Sequence, residues 1–64
     1  MYRLMIIDDD TAIREHIKEI IPWERMGLEL AAEASEGEEA MALFMQYDPH
    51  IVLTDINIPL IDGM

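Results

Sequence analysis

The chain has 64 residues, of which 14 are Asp or Glu and 4 are Lys or Arg, for a net charge of −10. That balance disfavours direct nucleic-acid contact by this segment, because phosphates are gripped by Lys and Arg, and it favours cations and basic partner surfaces. Cysteine is absent, which excludes disulfides, and no apolar run approaches the roughly 18 residues of a membrane span or forms a signal peptide, so a cytoplasmic protein with no membrane contact is expected.

Arg3 to Ile7 reads as a short buried strand that stops at three acids, Asp8, Asp9 and Asp10. Asp10-Thr11 then offers a helix cap. Ile13, Ile17, Ile20 and Ile21 fall on one helix face, with Arg14, Glu15, Lys18 and Glu19 mostly on the other. Pro22 ends that helix, since it lacks an amide hydrogen and clashes one turn back. Trp23 to Gly27 reads as a connector in which Trp23 packs. Leu28, Leu30, Ala32 and Ala34 alternate as a strand would. Ser35 and Glu38 have the spacing of a capping box and predict a helix start. Ala40, Leu43, Phe44 and Tyr47 are its expected buried face, and Asp48-Pro49 its end. Ile51 to Thr54 reads as a third strand covered on both faces. Met5, Met41 and Met45 are expected in the core. His16 and His50 lack metal-ligand spacing and are expected at the surface.

This β-α-β-α-β order argues for a parallel sheet with right-handed crossovers. In such sheets ligands sit at the carboxyl ends of the strands, where the strand order reverses. The first and third strands both end in Asp, so an order 2-1-3 gathers Asp8, Asp9 and Asp55 at one edge. Clustered carboxylates with a backbone carbonyl are oxygen donors suited to magnesium or manganese. A cation there would relieve the mutual repulsion of the acids and offset charge on a phosphoryl group in transfer. Asp55 is then placed to form an aspartyl phosphate. Taken alone, Asp8 to Asp10 would do no more than cap the first helix. An EF-hand calcium loop fits neither acidic stretch.

Three stretches carry a family resemblance: Leu4 to Asp10, Ala34 to Ala40, and Pro49 to Gly63. Through them the chain resembles a response-regulator receiver domain of two-component signalling. The segment Ile21 to Gly27 resembles receivers fused to AraC-type DNA-binding domains. The resemblance implies a flavodoxin-like doubly wound sheet and a role as phospho-acceptor rather than enzyme. By residue, it makes Asp55 the phospho-acceptor, Asp9 a direct Mg2+ ligand, Asp8 a ligand acting largely through water, and Asn57 a ligand through its main-chain carbonyl. Asp10 is assigned a cap. Pro59 and Asp62-Gly63 match the loop and the start of the next helix. The implied partner is a sensor histidine kinase.

The match has no counterpart of the fourth and fifth strands, so residues 1–64 are expected to be a partial receiver domain. The Ser or Thr and the Lys that contact the phosphoryl group in the family have no equivalent here. Lys18 lies on the first helix and is not assigned to that role. In such a fragment the third strand becomes an edge, and apolar edges template pairing with another chain. A homodimer through the third strand is therefore expected, weakened by a charge at Val52. The competing reading is a non-catalytic assembly module built on that edge. A third is a passive divalent-cation binder.

Overall fold

The computed structural model describes residues 1–54. A three-stranded parallel sheet in the order β2-β1-β3 forms its centre. The elements run β1 (Tyr2–Ile7), α1 (Thr11–Ile20), α2 (Trp23–Met26), β2 (Leu28–Ala34), α3 (Gly37–Tyr47) and β3 (Ile51–Thr54). The order is the one expected from the two Asp-terminated strands.

β1 is the central strand because its side chains are apolar on both faces. Met5, Ile6 and Ile7 are almost fully buried. Met5 and Ile7 pack with Ala34, Ala40, Leu43, Phe44 and Val52 on the side of α3. Leu4 and Ile6 pack with Leu28, Ile17, Ile21 and Trp23 on the side of α1. β1 is thus covered on both faces, by α3 on one side and by α1 and Trp23 on the other, as a central parallel strand requires.

β2 departs from simple alternation. Leu4 pairs with Leu30 but Met5 pairs with Ala32, leaving Ala31 as an extra residue. A bulge of this kind re-aims every side chain beyond it. Leu28 therefore joins the α1-side core, while Ala32 and Ala34 join the α3-side core. The expected single face of Leu28, Leu30, Ala32 and Ala34 is divided between two layers.

Other expectations are corrected by packing. Trp23 to Met26 is one helical turn, not an irregular connector; it is closed by Gly27 at φ 67, a backbone region open to Gly. The Ser35–Glu38 box does not form. The N-cap of α3 is Glu36, with no side-chain cap, and Glu39 instead accepts from the Ser35 amide at 2.7 Å and the Ser35 hydroxyl at 3.1 Å. Tyr47 and Met45 are exposed, Met45 at 76%. Ile13 and Ile20 of α1 are also exposed, so among the described residues Ile17 and Ile21 carry that helix's packing. In β3 only Val52 reaches half-burial, and Ile51 and Leu53 are exposed. Coverage of β3 on both faces is therefore not observed among the described residues.

Candidate functional site

β1 and β3 lie side by side in parallel, with Ile6 opposite Leu53 and Ile7 opposite Thr54. That register brings the ends of both strands to one level. Asp8 follows Ile7 directly, and Asp55 follows Thr54. A shallow cleft of about 130 Å³ opens there, lined by Ile7, Asp8, Ile17, Leu53 and Thr54.

Asp8 is the buried acid of the triplet, 6% exposed, whereas Asp9 and Asp10 are exposed. Its amide donates to the Ala34 carbonyl at 3.0 Å, which extends the β1–β2 ladder by one residue. Its Oδ1 accepts from the Asp10 amide at 2.9 Å, so the carboxylate is held by the turn that follows it. Asp10 is the N-cap of α1, accepting from Ala12 at 2.9 Å and Ile13 at 3.4 Å. The cap role read from the sequence is the observed one, and it leaves Asp8 and Asp9 for other work.

Asp55 and Asn57 lie outside the described residues, as do Pro59, Asp62 and Gly63. Among the described residues no three acids or imidazoles gather closely enough to hold a metal ion. The donor chemistry of the part that is described fits a hard cation. Asp8 lines the cleft beside Leu53 and Thr54 of β3 and Asp9 follows it in the chain, and magnesium and manganese take carboxylate oxygen ligands.

A charged group beside the cleft escaped the sequence reading. Arg14 and Lys18 both reach Glu33 of β2, at 3.3 and 2.8 Å. Lys18 also meets Glu15 at 2.9 Å, and Glu33 and then Glu15 hold its ammonium above the ordinary lysine range. The helical spacing puts Arg14 and Lys18 mostly on the face of α1 opposite its Ile residues. The bulge at Ala31 turns Glu33 toward α1 and brings them together; no pattern of alternation announces that turn. At the opposite end of the sheet, His50 is exposed but bonded. Its Nδ1 accepts from the Arg3 amide at 3.0 Å and its own amide donates to the Arg3 carbonyl at 2.8 Å.

A family model for the response regulator receiver domain matches residues 4–64. The chain belongs to that family. It is 38% identical over 64 residues to an uncharacterized response regulatory protein of Staphylococcus epidermidis. It is 39% identical over 64 residues to the transcriptional regulatory protein HptR of Staphylococcus aureus. All of this chain is covered in both matches, and it spans 26% and 25% of those relatives. Among solved structures, it matches a chain in the crystal structure of the P1 domain of CheA3 in complex with CheY6 from R. sphaeroides. There the TM-score is 0.82 and the identity 31%, over 98% of this chain and 49% of that one. The receiver fold and the strand order are therefore those expected from the residues. No helix of the described residues is long and apolar enough to cross a membrane.

Proposed function

We propose that this chain is the phospho-accepting segment of a two-component response regulator, with Asp55 as the acceptor. The observation that carries this reading is the parallel register of β1 and β3, which sets buried Asp8 beside Thr54, the residue before Asp55. The donor is a phosphohistidine of a sensor histidine kinase. Its N–P bond breaks as a carboxylate oxygen of Asp55 forms the new P–O bond, and the histidine nitrogen leaves with the electron pair. Asp8, Asp9 and the Asn57 carbonyl would hold magnesium or manganese, with Asp55 as a further carboxylate ligand. A bound cation supplies charge neutralisation for a phosphoryl group in transfer. Asp8 keeps its carboxylate at the strand end through the Asp10 amide. The chain acts as acceptor and not as an enzyme in its own right. The Ile21 to Gly27 resemblance and the transcriptional regulator among the relatives support a place upstream of an AraC-type DNA-binding domain.

Intact mass after incubation with magnesium and an acyl-phosphate donor tests this reading. A gain of one phosphoryl group, absent in Asp55→Ala, is the expected result. No gain in either protein would remove it.

A second reading has its own observation. Among the described residues β3 pairs with β1 alone, and its Ile51 and Leu53 are 39% and 41% exposed. Apolar strand edges recruit further strands, so a homodimer through β3 is the competing assembly. Val52 is a poor position to test it, because it packs into the α3-side core. Ile51→Lys is the better probe: sedimentation should move from dimer to monomer, and a concentration-independent monomer in the parent chain would exclude this assembly.

A further inference from the structure

One guanidinium ties three elements together. Arg14 Nη1 donates to the main-chain carbonyl of Asp8. Its Nε donates to Glu33 Oε1 at 3.3 Å, and its Nη2 to Thr11 Oγ1 at 3.2 Å. The end of β1, the first turn of α1 and the bulged half of β2 thus share a single side chain. Glu33 is itself held from its other oxygen by Lys18 at 2.8 Å. The Arg14 and Glu33 side chains are 15% and 28% exposed, so this group is better shielded than the surface ion pairs that contribute almost nothing.

The consequence falls on Asp8. Among the described residues the β1–β2 and β1–β3 pairings end at Ile7, so the Asp8 carbonyl takes its donor from elsewhere. Arg14 supplies it with a charged one, which is among the stronger kinds of hydrogen bond. The Asp8 amide is already fixed by Ala34 at 3.0 Å. With the amide and the carbonyl both held, the direction of the Asp8 side chain is set by the main chain. The Asp10 amide, donating to Oδ1 at 2.9 Å, reports whether that direction is kept.

We propose that Arg14, braced by Glu33 and Lys18, is a positioning residue that fixes the Asp8 carboxylate at the cleft. The role of that carboxylate toward a divalent cation rests on the functional reading above; the clamp itself does not. A guanidinium suits the task because its planar fork reaches three acceptors at once, which an ammonium cannot do in a fixed geometry.

The test is amide hydrogen exchange in the 64-residue chain without metal, followed by magnesium titration calorimetry. Parent, Arg14→Ala, Arg14→Lys and Glu33→Gln are compared. In Arg14→Ala the Asp10 amide is expected to exchange about tenfold faster, the effect of losing one charge-assisted bond, while the amides of Met5 and Ile6 keep their protection. Arg14→Lys should fall between parent and Arg14→Ala, and Glu33→Gln should move the same way by less. Magnesium affinity should drop in the same order. Unchanged exchange at Asp10 in Arg14→Ala overturns the proposal. So does an equal loss of protection throughout β1 in Arg14→Lys and Glu33→Gln, since that is what a merely structural residue would give. A parent chain that takes up no magnesium counts against the functional reading alone, and the clamp is then judged by exchange.

Discussion

The indole Nε1–H of Trp23 donates to the main-chain carbonyl of Lys18 at 2.9 Å, reaching back across the break made by Pro22. The same ring packs on Leu4, Ile6 and Leu28. Trp23 therefore both seals the α1-side core and satisfies a carbonyl in the last turn of α1. Trp23→Phe keeps most of the ring and loses the donor, and should cost about 1 kcal/mol. A urea midpoint by circular dichroism that matches the parent would show that the bond contributes nothing.

Glu39 gives a pH-dependent prediction. The Ser35 amide first, and the Ser35 hydroxyl second, hold its carboxyl below its ordinary value of 4.5. A carboxylate depressed in the folded state stabilises the fold fully above the unfolded value, and loses that effect as pH falls through the folded one. The melting temperature of the parent should therefore fall more steeply than that of Glu39→Gln as pH drops below 4.5. Equal slopes for the two would contradict the Ser35–Glu39 contact.

Deleting Ala31 should be tolerated. Without the bulge residue, Leu30 and Ala32 become neighbours on opposite faces, and every observed pair from Tyr2–Leu28 to Ile7–Ala34 keeps its partner. Deleting Glu33 instead shifts Ala34 to the wrong face, because side chains alternate strictly along a strand, and it removes the Arg14 partner. Thermal melts should show a small shift for the first deletion and loss of a cooperative transition for the second. The reverse order would refute the bulge.

Two apolar truncations separate core from surface. Ile6 is fully buried, so Ile6→Ala should cost about 2–5 kcal/mol, enough to unfold a small domain of marginal stability. Met45 is 76% exposed, and Met45→Ala should stay within about 0.5 kcal/mol. Near-ultraviolet and far-ultraviolet dichroism of the two variants will distinguish them.

Much of the fold was legible because β1 and β3 are continuous apolar runs ended by acids, and Pro22 and Asp48-Pro49 punctuate the helices. Their order forces the parallel arrangement, and Asp10 announced its cap. What was hidden has a physical cause. Ala31 carries no signal of a bulge, so the two-layer fate of β2 and the turn of Glu33 toward Arg14 could not be read from alternation. The Ser35 partner moved from Glu38 to Glu39, because both spacings lie within reach of the first helical turn. Met45 and Tyr47 follow the apolar pattern of α3, yet its inner face narrows to Ala40, Leu43 and Phe44. Of the proposed site, Asp8 lines the cleft at the end of β1 and Asp9 is exposed after it, while Asp55 and Asn57 lie outside the described residues.

The central position of β1 also dictates an order of assembly. This strand is the most buried element, yet both of its neighbours come later in the chain, β2 after two helices and β3 after a third. A ribosome adding about 5–20 residues per second makes Met5, Ile6 and Ile7 well before Leu28 or Ile51 exists to pair with them. These three side chains stay without their strand partners until the later strands are made. The parallel order that brings the two strand ends together thus carries a cost in folding speed, because every strand pairing must wait for a distant one.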